Sequence, residues 1–384
     1  MKRIKTAVFG TGFVGRIHVE GIRRLGNVEV YAIGVGPDDD GPKFASELNV
    51  ERVSSDYHQL LKDPEIDAVH VCTPNALHFP IAKASLEAGK HVLCEKPLAV
   101  SVAQGRELVE LARRTKLRNC TFHNLRFYPM VQQARQMCQS GELGDLLIVQ
   151  GTYSQDWLLY DTDWNWRLVS AEGGPSRCLA DIGSHWCDAI EHITGKRISS
   201  VCVDLATFHK TRKRPKAAVA TFAGKTLRPE DYDEVLVDTE DYAAVMFRIG
   251  DRTRGCFTVS QVSAGRKNSF RWEIYGTKSG LAWDGERQDE LWIGQRSAPN
   301  QLLLKDPSLL NPKARTYADL PGGHSEGYDD TFKQLFRRFY NSIENPNAEP
   351  DYPQFADGLR QLTILEAELA SHQRRGWVDV STER

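Results

Sequence analysis

Three side chains in this chain could together move a proton: Lys96, Asp181 and His185. A histidine with its ordinary pKa of about 6.5 can accept a proton from a hydroxyl group near neutral pH. Asp181 stands four residues before His185, so a helix would put both on one face about one turn apart. A carboxylate there can orient the imidazole and support its charged form, and Asp188 adds a third polar group near the same face. Lys96 lies in Glu95-Lys96-Pro97, and an ammonium beside a reacting oxygen would stabilise a developing alkoxide. Such a set removes a proton while a second agent removes a hydride. The plain alternatives are a helix-surface Asp–His pair and a solvated lysine in a strand-to-helix turn.

The start of the chain offers a place for that second agent. Gly10-Thr11-Gly12-Phe13-Val14-Gly15 has the G-x-G-x-x-G spacing of a dinucleotide loop, and it follows one apolar run and opens an amphipathic one. In such a loop Gly10 permits the tight turn, Gly12 lets the backbone approach a pyrophosphate, and Gly15 lets helix and strand pack closely. The helix N-terminus then faces the phosphates. The acid that reads the ribose should lie roughly 20 residues further on. Val35-Gly36 occupies that position, with Asp38, Asp39 and Asp40 just after it. Three carboxylates and no arginine favour NAD over NADP, while Lys43 leaves NADP open.

Elements of two kinds must carry these residues. Strands are expected at Thr6-Ala7-Val8-Phe9 and at residues 28–33, 68–72 and 91–94, with helices between them, the first over residues 16–26. One helix ends at Gly89, and another starts at the capping box Ser101-Val102-Ala103-Gln104. This alternation predicts a parallel sheet covered on both faces. Ligands then lie beyond the carboxyl ends of the strands, which places Thr73-Pro74-Asn75 and Glu95-Lys96-Pro97 around the cofactor; His78 is also expected among the cofactor residues. From about residue 144 the pattern changes to strands at 146–153, 200–206, 217–222, 242–249, 254–262 and 270–275. Many of these alternate with period two, as in an antiparallel sheet with one solvated face. A helix over 176–194 interrupts them, and helices over 326–344 and 354–374 close the chain. The basic run from His209 to Lys216 is expected to be a solvated loop.

Composition narrows the class. A chain of 384 residues is too long for one ordinary core, so two domains are expected, 1–123 and 124–384. The net charge of -2 gives no reason to expect nucleic acid or a membrane as partner. The start lacks the apolar stretch of a signal peptide, and no run approaches the roughly 18 apolar residues of a spanning helix. Eight scattered cysteines without a Cys-x-x-Cys pair suit free thiols in a reducing compartment, so a cytoplasmic location is expected. Asp181, His185 and His324 are too few ligands to predict a metal site.

The fingerprint, Thr73-Pro74-Asn75, Cys94-Glu95-Lys96-Pro97-Leu98, Asn124-Leu125-Arg126 and Asp181-x-x-x-His185 together resemble the Gfo/Idh/MocA oxidoreductases. The likeness continues through Trp272-Glu273-Ile274-Tyr275-Gly276-Thr277 and Gly323-His324-Ser325-Glu326-Gly327-Tyr328, nearly the whole chain. It implies an α/β protein with an N-terminal Rossmann domain and a C-terminal α/β domain built on a large, mainly antiparallel open sheet. It implies that this sheet makes homodimer or homotetramer contacts. It also implies that Lys96 and His185 contact the reacting hydroxyl with Asp181 beside them. By the same resemblance Asn124, Trp166 and Arg167 join the cofactor residues. Arg126, Asp156, Trp157 and His324 join Lys96, Asp181 and His185 on the substrate. One departure is Val35, where an NAD-specific member usually carries an acid.

The expected activity is NAD(P)-dependent oxidation of a hydroxyl on a sugar, anhydrosugar, glycoside or inositol. One alternative is glycoside cleavage through transient oxidation and elimination. Another is a non-catalytic cofactor sensor, which intact Lys96, Asp181 and His185 argue against.

Overall fold

The computed structural model describes residues 3–36, 39–217 and 227–381. The chain divides into two compact units, Met1–Asn124 with Tyr328–Leu362 and Leu125–Gly327 with Thr363–Arg384. Residues 328–362, which the sequence grouped with the second domain, thus cluster with the first.

The first unit holds six parallel strands: β1 (Ile4–Phe9), β2 (Val28–Gly34), β3 (Arg52–Ser54), β4 (Ala68–Val71), β5 (His91–Cys94) and β6 (Asn119–Thr121). Their order is β3-β2-β1-β4-β5-β6, with a crossover between β1 and β4. Ala7, Val8, Val69, Val71, Val92 and Cys94 are at most 1% exposed, because helices cover both sheet faces. The first helix, Phe13–Arg23, begins three residues earlier than expected, inside the glycine fingerprint itself. Ser101 caps the helix Val102–Thr115 by accepting from the Gln104 amide.

A buried polar chain explains why the helix Tyr328–Glu344 belongs to this unit. Glu95 Oε1 lies 3.1 Å from His18 Nε2, the Nδ1 atoms of His18 and His70 are 2.8 Å apart, and His70 Nε2 is 2.8 Å from the Tyr340 hydroxyl. A carboxylate can only accept, so His18 donates to Glu95, His70 donates to His18, and Tyr340 donates to His70. Both rings are neutral in this arrangement. Burial holds His18 down to about 3 and His70 well below the ordinary histidine value. Phe332 and Phe336 pack on the His18 ring beside Phe122.

The second unit holds β7 (Leu146–Ser154), β8 (Ser200–Ala206), β9 (Thr211–Pro215), β10 (Tyr232–Leu236), β11 (Tyr242–Ile249), β12 (Thr253–Ser260), β13 (Ser269–Gly276), β14 (Gly280–Asp284), β15 (Glu290–Gly294), β16 (Gln301–Leu304) and β17 (Val378–Asp379). Nine of these form one sheet in the order β16-β15-β14-β13-β7-β12-β11-β8-β17. Its pairings are antiparallel except β7 with β12. In β11, Ala243, Val245, Phe247 and Ile249 are buried while Met246 between them is exposed, which is the expected period of two. The strand expected at 217–222 falls almost wholly outside the described residues.

The basic run is the clear correction. Thr211–Pro215 is a strand paired with Tyr232–Leu236, not a solvated loop. Arg212 is fully buried, 2.7 Å from Asp241, and donates to the carbonyls of Leu158, Tyr160 and Asp163. Arg177 is buried against the same carboxylate. A buried guanidinium is tolerable when its charge and donors are matched, and local hydropathy does not register a counter-ion 29 residues further on.

Candidate active site

In the first unit β1 runs into the glycine loop. Gly10 has φ +103°, and a Cβ there would sit 2.4 Å from the Cys72 carbonyl oxygen. A Cβ on Gly15 would sit 2.0 Å from the Gly10 carbonyl oxygen. Neither position admits a side chain. Gly12 differs: its backbone is extended, and among the described residues a Cβ added there would meet nothing within 4 Å and no side chain caps the helix at this point. Open space before a helix N-terminus fits a pyrophosphate, so these residues fit the dinucleotide. Phe13 is exposed at the start of this helix, and Val14 is half-buried.

The acids after β2 sort themselves by partner. Asp40 caps the helix Gly41–Leu48 through the Lys43 amide. Asp39 Oδ2 accepts from the Gly36 amide at 2.7 Å and from Thr11 Oγ1 at 3.2 Å, which fixes a carboxylate beside the glycine loop. Asp38 lies outside the described residues. Asp39 thus offers the acid that Val35 lacks, suited to ribose hydroxyls and repulsive to a 2′-phosphate. Asp39→Ser is expected to lower kcat/KM with NAD by about tenfold, the weight of one charge-assisted hydrogen bond, and to raise it with NADP. An unchanged NAD/NADP ratio in steady-state assays would reassign the ribose contact.

Two further loops lie at the carboxyl ends of strands of the same sheet. Thr73-Pro74-Asn75 follows β4, with Asn75 buried, and Glu95-Lys96-Pro97 follows β5. His78 is 1% exposed and clips the two together, with Nδ1 2.7 Å from the Pro97 oxygen and Nε2 2.9 Å from the Thr73 oxygen. Both partners only accept, so a neutral ring donates to one of them at a time; burial lowers the His78 pKa. Glu95 uses Oε1 for His18 and Oε2 for the Lys96 amide, which fixes the backbone that carries Lys96. Lys96 is half-buried. Asn124 is buried and donates to Thr331 at 2.7 Å.

In the second unit Asp181 and His185 lie on a helix that is not uniform. Leu179–Gly183 is a π-helical turn, and Ser184–Thr194 continues as α-helix. Such wide turns occur mostly as single interruptions and often at functional sites; spacing alone predicted plain α geometry. Glu240 Oε1 holds the start of this segment by accepting from Ser176 Oγ and from the Arg177 and Leu179 amides. Trp186, next to His185, is fully buried, stacks on Phe257 at 4.3 Å and donates to the Arg271 carbonyl. His185 itself is 7% exposed.

Asp181 is held from two sides. Arg167 Nε lies 3.3 Å from Oδ1, and Gln261 Nε2 lies 2.8 Å from Oδ2. Asn165 caps the turn Trp166–Leu168, and the Arg167 guanidinium stacks on the Trp166 ring at 4.3 Å. Arg167, expected at the cofactor, is therefore also a partner of Asp181. Gln261 carries no motif and stands 80 residues from Asp181 in sequence, so nothing in the sequence pointed to it.

Other expected substrate residues have definite partners. Arg126 is buried in a two-pronged pair with Asp188, at 2.6 and 2.5 Å, which anchors the turn after Asn124 to the helix bearing His185. That pair also engages Asp188, which the spacing had grouped with Asp181 and His185. Asp156 accepts from the Gly265 amide and from Lys267. Trp157 packs on the small cluster of Leu158, Leu168 and Val237 and donates to Gln155. His324 is exposed in a loop tied down by Lys305, which donates to the His324 carbonyl. Among the described residues no cluster of three or more His, Cys, Asp or Glu side chains could hold a metal ion.

Residues 4–123 match the family model described as an oxidoreductase family with an NAD-binding Rossmann fold, and residues 131–282 match the Gfo/Idh/MocA C-terminal domain. The chain belongs to the Gfo/Idh/MocA oxidoreductase family. Levoglucosan dehydrogenase of Pseudarthrobacter phenanthrenivorans is 28% identical over 393 aligned positions, covering 99% of each chain. A levoglucosan dehydrogenase structure in complex with NADH and L-sorbose is 26% identical with a TM-score of 0.89, covering 100% of each chain. An inositol dehydrogenase homologue from Azotobacter vinelandii, complexed with NAD+, is 27% identical with a TM-score of 0.86, covering 98% of this chain and 97% of that one. This Gfo/Idh/MocA protein is thus an NAD-binding oxidoreductase of the class that acts on CH–OH groups, with the expected Rossmann domain and large, mostly antiparallel second sheet.

Proposed function

We propose that this enzyme oxidises a ring hydroxyl of a sugar, anhydrosugar, glycoside or inositol. The observation that carries the reading is Asp181, clamped between Arg167 and Gln261, on the same helix as a nearly buried His185. The names of the relatives support a polyhydroxylated substrate. Gly10 to Gly15, Asp39, Thr73 to Asn75 and Glu95 to Pro97 are the residues that would hold NAD. When bound, NAD supplies the hydride acceptor. His185 takes the hydroxyl proton, and Asp181 orients the imidazole and favours its charged form. Lys96 donates to the same oxygen and stabilises the charge that develops on it. Trp157 and Trp166 offer apolar ring faces to the C–H face of a sugar.

The exposed side of the nine-stranded sheet, with Ile148 and Met246 about half exposed, is the surface we assign to homodimer or homotetramer contacts. The eight cysteines are free thiols, which supports a reducing, cytoplasmic setting. No described helix is long and apolar enough to cross a membrane.

The test is a panel of sugars, anhydrosugars, glycosides and cyclitols with NAD, read at the absorbance of the reduced cofactor. The expected result is one NADH formed per substrate oxidised. Glycoside consumed without net NADH would point to the elimination route, and no turnover with any polyol would end the reading.

A further inference from the structure

The Asp181 clamp has a second layer. Gln261 is fully buried, directly after β12, and its side-chain amide faces a different group on each side. Its oxygen lies 3.3 Å from Arg177 Nη1, and its nitrogen lies 2.8 Å from Asp181 Oδ2. An arginine only donates and a carboxylate only accepts, so the amide has one permitted orientation. Arg177 is itself fixed. Its guanidinium is fully buried, with Nε 3.3 Å from Thr239 Oγ1 and Nη2 on Asp241. Asp241 is in turn bridged to buried Arg212 and accepts from the Phe208 and His209 amides. The Gln261 backbone is pinned as well, its N–H donating to the Asp241 carbonyl and its carbonyl accepting from the Leu158 amide.

We infer that Gln261 is a positioning residue for the reaction: locked by Arg177, its amide keeps the Asp181 carboxylate turned one way on the helix that carries His185. This rests on the proposed roles of Asp181 and His185. Among the described residues, the ionisable groups near Asp181 include Arg167 on Oδ1, Arg177 behind Gln261, Cys178 and His185 on the same helical segment, and Glu240 at the start of that segment. Gln261 is the neutral member through which the buried cationic cluster acts on the carboxylate. A carboxylate receiving hydrogen bonds at both oxygens favours its charged form. Released from the amide, Asp181 would orient the imidazole less well, so kcat would fall without loss of cofactor affinity.

Two variants of the full-length enzyme test this, assayed across pH with the best substrate of the panel and with NAD binding measured separately. Gln261→Leu removes the donor. It is expected to lower kcat by about tenfold, as for a lost hydrogen bond to a charged group, to move the acidic limb of the kcat profile, and to leave NAD affinity essentially unchanged. Gln261→Glu keeps the shape and makes the donor titratable. When the new carboxyl is protonated it donates to Asp181 as the amide did; when ionised it faces Asp181 with like charge. Its activity relative to wild type should therefore be near unity at acidic pH and fall as pH rises, a pattern that general loosening of the fold does not produce. A ratio independent of pH overturns the inference, even if Gln261→Leu fails to fold. Asp181→Asn and His185→Ala in the same assay separate the two claims. If both keep wild-type rates, the proposed chemistry fails; if they lose rate while the Gln261 variants match wild type at every pH, the positioning role alone fails.

Discussion

His185→Ala should lower kcat by on the order of 10² to 10⁴, the usual weight of a correctly placed proton-transfer group. The loss should appear in kcat with the affinity for NAD kept, because an imidazole that takes a proton from the substrate is not needed to hold the pyrophosphate. Lys96→Ala should be comparably damaging, since a cation beside the reacting oxygen acts mainly on charge that exists in the transition state. Asp181→Asn should be milder than His185→Ala: it weakens the orientation of a base that is still present. In wild type the oxidation rate should rise with pH through one ionisation, as a base must be unprotonated to accept. That limb should vanish or move in His185→Ala. The measurement is kcat against pH for the three variants, with calorimetry for NAD. Near-wild-type kcat and an unchanged limb in His185→Ala would reduce the pair to a structural feature of its helix.

Gly12→Val should abolish measurable NAD binding while the protein still unfolds cooperatively near the wild-type temperature. Among the described residues, apart from its own chain neighbours, a Cβ added at Gly12 meets nothing within 4 Å, so the native backbone can accept it. What it fills is the ground before the helix N-terminus, where phosphates need close approach to backbone amides. An affinity loss of on the order of 10²-fold or more is expected from steric exclusion at that position. Gly15→Val is the contrast. Its Cβ would overlap the Gly10 carbonyl oxygen at 2.0 Å, so helix and strand must separate and stability falls along with binding. Titration calorimetry and thermal unfolding on both variants distinguish the cases. Near-normal NAD affinity in Gly12→Val would mean the pyrophosphate is held elsewhere.

Much of this protein was legible in one dimension because the physics behind it is local. Parallel strands buried on both faces read as short apolar runs, half-buried strands such as Tyr242–Ile249 alternate, and a phosphate loop needs glycine at fixed offsets. Those patterns located β1, β2, β4 and β5, most of the second sheet and the glycine loop, while Lys96, Asp181 and His185 became candidates through their residue types, the four-residue spacing of the last two and the family resemblance. Partners distant in sequence left no such trace. The helix Tyr328–Glu344 was visible as a helix, yet its place in the first unit depends on Tyr340 reaching His70 across 270 positions. The run from His209 to Lys216 looked solvated because charge alone suggests water, and it is the Asp241 carboxylate that makes a buried Arg212 tolerable. Asp39 could not be told from its two neighbours until Thr11 and Gly36 were seen to hold it. Gln261 and the π-helical turn under Asp181 were decided by tertiary structure alone, because a hydrogen bond between side chains 80 residues apart imposes no spacing on the sequence between them.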